Sequence, residues 1–390
     1  MRTSLAKILA ATAPTMLLLP LLCACGKDDP QPEPLQGPAR RTVLVYGAAF
    51  NSLSSDLGND MDEMRQGFLD AGADADSCRW LLYRWDYAAD LPGLWELRRE
   101  GKAATWVKLK EYDKSRLSTD PERMARVIDD AAHLAPARDY GLILWSHASG
   151  WMPARHADKY SFGDDSSLGS DHAGRFMNIT DLAQAIPRGR FSFIWADCCH
   201  MGGIEVAYEL RGHCDRYVAY PTEVISDGIP YQLMLPQLMR PQTDIEEAAR
   251  TFFGYWDKRG GISRSATISV TRTDHLPALA AACRALMHGK PTPPATDVQV
   301  YHRRATGLGP YYDLLDLCRA YAAGNVADPA YMAVADALSQ TVTYAATTDY
   351  FLELRIDPTR YCGLSSNLYS PTDNTAGFYR TYQWYKDVLE

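Results

Sequence analysis

Phe191-Ser-Phe-Ile-Trp-Ala-Asp-Cys-Cys-His-Met-Gly-Gly-Ile-Glu-Val-Ala-Tyr-Glu-Leu210 is the stretch that decides how this chain folds. Residues 191–196 are an apolar run of strand length, the mark of an inner strand covered on both faces. The run stops at a polar turn, Asp197-Cys198-Cys199-His200, and the chain restarts as a helix near Gly203. Open α/β sheets carry their chemistry at the carboxyl ends of strands. A second run of this kind, Leu142-Ile-Leu-Trp145, ends at Ser146-His147-Ala148-Ser149-Gly150-Trp151. One strand tip offers a thiol, the other an imidazole.

Working outward, Thr42–Ala49 and Arg79–Tyr87 read as further strands. Asp56–Ala71 sets Met61, Met64, Phe68 and Leu69 on one side of a helix closed by Gly72. Asp120-Pro121-Glu122 opens another, with Met124, Val127, Ile128 and Ala131 at helical spacing. A short helix over Asn178–Ile186 precedes the cysteine strand, and Arg216–Tyr220 follows as one more strand. This alternation predicts a doubly wound, mostly parallel sheet flanked by helices. Residues 90–118 are less regular and predict a hairpin or excursion. Beyond Gln237 the pattern changes: helices over Ile245–Tyr255, Leu276–Met287 and Tyr311–Ala323, and strands over Ala266–Val270, Gln340–Ala346 and Leu352–Arg355. That half reads as an α+β extension packed on the first sheet, so the expected division is residues 41–236 and 237–390.

The first forty residues are set apart as a targeting segment. Arg2 and Lys7 precede an apolar run from Ile8 to Leu22, which ends in Leu22-Cys23-Ala24-Cys25-Gly26, a pattern resembling a bacterial lipobox. The expectation is a signal peptide over residues 1–24 and lipidation of Cys25. Residues 25–40, with Pro30, Pro32, Pro34 and Pro38, then form a tether reaching on the order of 45 Å. The destination is the bacterial outer membrane, periplasmic or surface-exposed. A net charge of −8 gives no basic face for nucleic acid. Of nine cysteines, Cys23 and Cys25 belong to the export signal and Cys198-Cys199 to the strand-tip turn; the scattered others read as small buried residues, the alternative being one or two disulfides.

A free thiol is only a few per cent ionised at pH 7, and a neighbouring imidazole corrects this by taking its proton. His147 lies 52 residues before Cys199. Here the sequence resembles the clostripain-type cysteine peptidases. Leu144-Trp-Ser-His-Ala-Ser-Gly-Trp151 is similar to their Trp-x-His-Gly-x-Gly-Trp block, and Asp197-Cys-Cys-His-Met-Gly202 to their Asp-Ala-Cys-Leu-Met-Gly. Tyr220-Pro-Thr-Glu223, Gly228-Ile-Pro-Tyr231 and Gly363-Leu-Ser-Ser-Asn-Leu-Tyr-Ser-Pro371 match later blocks.

The resemblance implies a caspase-like fold, Cys199 as nucleophile and His147 as base, with an oxyanion hole of the Ala148 and Cys199 amides. It implies cleavage after Arg or Lys, so Asp197 and Asp227 are the candidates for an acidic S1 pocket. The chemistry requires no cofactor, although the family implies calcium sensitivity. His156, Asp158, Asp164, Asp165, Asp171 and His172 enrich the loop between the two blocks, but their spacing matches no compact ligand motif. No metal ligand is assigned; the alternative is a solvated loop. Arg155, Lys159 and Arg175 in that loop are candidate self-cleavage points. Two positions depart from the family. If the glycine that Ala148 replaces is needed for φ > 0 or close substrate approach, its methyl obstructs catalysis. Cys198 beside Cys199 could form a strained vicinal disulfide. The expected protein is a lipid-anchored, monomeric endopeptidase acting on peptides with Arg or Lys at the cleaved bond. The alternative is an inactive relative that keeps the fold as a binding scaffold.

Overall fold

The structure is a computed structural model describing residues 37–153, 161–169, 171, 172, 174–302 and 311–390. Its first half runs β1 (Ala39–Ala49), α1 (Ser54–Asp70), α2 (Ala73–Asp76), β2 (Cys78–Asp86), β3 (Gly93–Glu100), β4 (Ala103–Glu111), α3 (Pro121–Leu134) and β5 (Ala137–Trp145). Then come α4 (Ile179–Ala185), β6 (Phe191–Asp197), α5 (Ile204–Glu209), β7 (Cys214–Ala219), α6 (Tyr231–Leu238) and α7 (Ile245–Asp257). The remainder holds β8 (Thr267–Arg272), α8 (Leu276–Met287), β9 (Tyr312–Asp313), α9 (Leu314–Tyr321), α10 (Pro329–Thr341) and β10 (Val342–Thr347).

One sheet organises these elements, in the order β10-β8-β7-β6-β5-β1-β2-β3-β4. Its centre, from β7 through β6, β5 and β1 to β2, is parallel. Its outer strands are antiparallel: β8 and β10 at one edge, β3 and β4 at the other. The chain leaves β1 towards β2 on one side and later returns to β5 on the other. The β1–β5 border is therefore a topological switch point, where crevices open outside the strand ends.

Alternation along the strands explains the two cores. Leu142, Leu144, Ile194 and Ala196 face the layer built by α3, α4, α5 and α8. Ile143, Trp145, Phe193 and Trp195 face the opposite layer, covered by α1, α6 and α7. The helices bury matching stripes. Asp120 caps α3 by accepting from the Glu122 and Arg123 amides, and Met124, Val127, Ile128 and Ala131 fill its inward face. Each fully buried large side chain contributes roughly 1.5–3 kcal/mol.

The sheet is mostly parallel at its centre, as the alternation predicts. Residues 90–118 supply the edge hairpin β3–β4, and the strand expected from Thr42 begins at Ala39. From the second half, β8 and β10 continue the sheet built by the first. Three readings shift. Tyr311–Ala323 begins as the two-residue strand β9 rather than as helix, and α10 runs through Thr341 so that its strand starts at Val342. Leu354–Arg355 forms only a two-residue pairing with Tyr350–Phe351. No helix among the described residues is long and apolar enough to cross a membrane. Cys25 lies outside them.

Candidate active site

Three strand tips meet at the switch point. Ser52 follows β1, His147 follows β5, and Cys199 follows β6. His147 and Cys199 line a single pocket of about 230 Å³ with Leu53, Trp145, Asp197 and Glu223–Gly228 segment residues. His147 Nε2 lies 2.8 Å from Ser52 Oγ. Burial lowers the His147 pKa; Asp164 opposes that, Arg175 adds to it, and Asp56 opposes it again. The ring therefore rests neutral, the form that can accept a thiol proton.

The two neighbouring cysteines differ in surroundings. Cys199 is half-buried, and its Sγ accepts from the Val224 amide at 3.4 Å. Cys198 is 1% exposed, directs its thiol to the Leu144 carbonyl at 3.6 Å, and packs in the α3–α5 core layer. Burial pushes the Cys198 thiol well up, so it stays protonated. Neither is disulfide-bonded, so the vicinal disulfide weighed from sequence is not formed.

Ala148 takes no left-handed conformation; the positive-φ residues other than glycine among the described residues are His200, Ala323 and Leu352. Its methyl is buried in the core at 5% exposure. Ala148 bridges Phe162 in antiparallel fashion, with Gly163 N donating to His147 O and Ser149 N to Ser161 O. In such a bridge the amide of the central residue points away from the paired segment. The left-handed backbone that the missing glycine could have served is therefore not required at Ala148. The positive φ is taken instead by Gly150, where a Cβ would lie 2.3 Å from His200 O.

Asp197 is 4% exposed at the β6 tip. Its Oδ2 accepts from the Ile229 amide at 3.3 Å and the Tyr231 hydroxyl at 3.2 Å, while Oδ1 has no hydrogen-bond partner among the described residues. Burial holds its pKa up at about 7. Gly228 leaves room for it: with φ +54, a Cβ there would sit 2.9 Å from both carboxylate oxygens. Asp227 is exposed beside the pocket, between the lining residues Ser226 and Gly228.

The acidic loop is occupied by the fold. Asp164 is held by Arg175 at 2.5 and 2.9 Å. Asp165 accepts from the Ser118 and Ser167 amides at 2.6 and 3.0 Å. Among the described residues no group of three or more His, Cys, Asp or Glu is placed to hold a metal. These carboxylates do not fit a calcium cage. Arg155, Lys159, His156 and Asp158 lie outside the described residues; Arg175 is in the ion pair just given. His200 is buried with φ 57, stacked on Tyr311 at 4.3 Å.

Ser52, Val224 and Asp60 carry no role read from sequence, and Tyr231 enters there only as the last residue of the Gly228-Ile-Pro-Tyr231 block. Asp60 carries a legible signal: an acid on the face of α1 otherwise given to Leu57, Met61, Met64 and Phe68.

A thiol and an imidazole at neighbouring carboxyl ends of a mostly parallel sheet define a caspase-like cysteine peptidase. The chain belongs to the clostripain family, whose pattern it matches over residues 45–387. It is similar to an inactive zymogen of a C11 protease from Parabacteroides distasonis, 29% identical, with a TM-score of 0.77 over 91% of this chain and 99% of that one. A secreted C11 cysteine protease from Bacteroides thetaiotaomicron, solved with an irreversible peptide inhibitor, is 27% identical, with a TM-score of 0.76 over 90% of this chain and 99% of that one. A comparison with curated proteins gave no match.

Proposed function

We propose that the protein is an endopeptidase that cleaves after Arg or Lys through His147 and Cys199. One observation carries this: His147, Cys199 and the buried carboxyl of Asp197 line the same pocket. His147 takes the Cys199 proton, and the sulfur attacks the scissile carbonyl carbon. The Ala148 and Cys199 amides hold the oxyanion, each such donor being worth roughly 3 kcal/mol of barrier. His147 then protonates the leaving amine, and water hydrolyses the thioester. Asp197 at the pocket floor and Asp227 at its rim favour a cationic side chain in S1; a guanidinium pairs with a carboxylate in bidentate fashion.

The same reading makes the protein a monomer anchored through lipid on Cys25 in the outer membrane. Cleavage after Arg155, Lys159 or Arg175 is its maturation step, a reading supported by the similarity to a protease solved as an inactive zymogen. No catalytic step runs through calcium.

The test uses residues 26–390, reduced, against a peptide series differing only at P1. Turnover restricted to Arg and Lys is expected, and its loss in His147→Ala. Equal cleavage after Leu or Glu sinks the specificity; no cleavage of any peptide, before or after trypsin nicking, favours the scaffold reading.

A further inference from the structure

Asp60 plays no part in the chemistry above, yet α1 buries it to 3% exposure in the layer beneath the S1 pocket. Its Oδ2 accepts from Trp145 Nε1 at 2.8 Å. Trp145 and Asp197 are register partners on β5 and β6, and both line the pocket. By strand alternation the two side chains leave the sheet on the same face, the one that α1 and α6 cover. Two carboxyls thus occupy one desolvated layer. Asp197 keeps one buried carboxyl oxygen without a hydrogen-bond partner among the described residues, and Asp60 stands behind the indole.

We propose that Asp60 is a specificity-determining residue of this pocket: a reserve acid, neutral while the pocket is empty, that ionises when a cationic side chain enters. The proposal rests on the reading of the pocket as a cation site and adds its second charge. In the step, the Asp60 O–H bond breaks, its electron pair stays on the carboxylate, and the proton leaves to solvent. The entering cation supplies the missing counter-charge, since two neighbouring carboxyls in such a layer do not both ionise alone.

The electrostatics agree. Burial, followed by the Asp197 charge, holds Asp60 up at about 9, against about 7 for Asp197. The titratable groups around the pair are Asp56 and Glu63 on α1, Tyr231 on α6 and Tyr220 after β7. The charges that act most on Asp60 are all negative. An empty pocket therefore holds its second charge in reserve. A neutral P1 side chain draws no proton out, which separates Arg and Lys from isosteric neutral residues more sharply than Asp197 alone.

Asp60→Asn keeps an acceptor for Trp145 Nε1 and removes only the ionisable proton, so a merely structural role is unaffected by it. Benzamidine, an arylamidine cation, is titrated by calorimetry into residues 26–390 at pH 8 in two buffers of different ionisation enthalpy. The wild type should release roughly one proton per benzamidine bound and the variant close to none. Affinity should drop roughly tenfold in Asp60→Asn, and the loss should fall on KM for Arg peptides rather than on kcat. Wild-type affinity should also climb from pH 8 to 9, above the range where Asp197 titrates, while the variant stays close to flat there. Equal proton release and equal affinity in the two proteins overturn the reserve-acid proposal while leaving the cation pocket intact. Failure of the wild type to bind benzamidine, with peptides of neutral P1 cleaved, removes the cation pocket itself and the proposal with it. If Asp60→Asn does not fold, carboxyl ¹³C NMR of the wild type decides. An aspartate titrating above pH 7 that shifts to lower pH on benzamidine addition supports the proposal, and its absence overturns it.

Discussion

Asp197→Asn should make the protein more stable at alkaline pH and nearly useless towards Arg peptides. The native state holds the Asp197 proton to about pH 7, against an ordinary value of 3.8. Folded protein therefore binds this proton more tightly than unfolded chain does. The contribution to stability is full below about pH 3.8, falls as pH rises towards 7, and is gone above it. One pKa unit corresponds to about 1.4 kcal/mol, so the roughly three-unit elevation costs the fold up to about 4 kcal/mol by pH 8. Asp197 titrates together with Asp60, which spreads the effect over both carboxyls. A gain of about 2–4 kcal/mol at pH 8 is therefore expected for the variant, and none at pH 4. Asparagine still offers one oxygen to the Ile229 amide and Tyr231 hydroxyl, so packing is preserved. Urea unfolding at pH 4, 6 and 8, followed by tryptophan fluorescence, measures the difference at constant m. In parallel, kcat/KM for an Arg peptide should fall about thirtyfold or more, the cost of unpairing a buried cation being about 2 kcal/mol or above. A variant no more stable than wild type at pH 8, with Arg preference intact, refutes both the buried-carboxyl argument and the S1 assignment.

Three further outcomes follow from the same geometry. Ser52→Ala removes the hydroxyl 2.8 Å from His147 Nε2 and should lower kcat about fivefold at unchanged KM, a hydrogen bond being worth about 1 kcal/mol; a steady-state comparison checks it, and a change confined to KM counts against a role in orienting the ring. Arg175→Gln leaves Asp164 without its cation, so His147 should protonate at higher pH and the acid limb of kcat should move up; a limb moving down contradicts the reading. Cys198→Ala empties part of a core site and should cost about 1 kcal/mol in urea while peptide cleavage persists; loss of cleavage in the folded variant contradicts its structural role.

The fold was legible where burial is two-sided. Thr42–Ala49, Leu142–Trp145 and Phe191–Ala196 are inner strands, so their apolar runs carry the information alone. The β3–β4 edge is half-exposed and irregular in register at Leu94/Trp95, which blurs alternation. Helix α6 escaped because Pro236 sits inside it, and a proline reads as a break. Helix α10, Ala-rich and with only Val334, Leu338 and Thr341 buried, has too thin an apolar stripe to stand out. The site divides in the same way. Cys199 and His147 announce themselves because each sits in a local strand-tip motif. Ser52 reaches His147, Val224 reaches Cys199 and Tyr231 reaches Asp197 only through the packing of β1, the 220–228 segment and α6, contacts that no single strand-tip motif encodes. Ala148 shows the reverse case, a departure from the family that sequence makes alarming. Its side chain is absorbed by the core, and Gly150 and His200 take the unusual backbone angles.

Active-site labelling decides whether Cys199 is the nucleophile of an Arg/Lys-directed pocket. A peptide electrophile ending in Arg is reacted with residues 26–390, and the modified cysteine is located by peptide mass analysis. One equivalent of label on Cys199, blocked by benzamidine, is expected, with none on Cys198. Label on Cys198 or another cysteine, or equal labelling by a peptide ending in Glu, would contradict it.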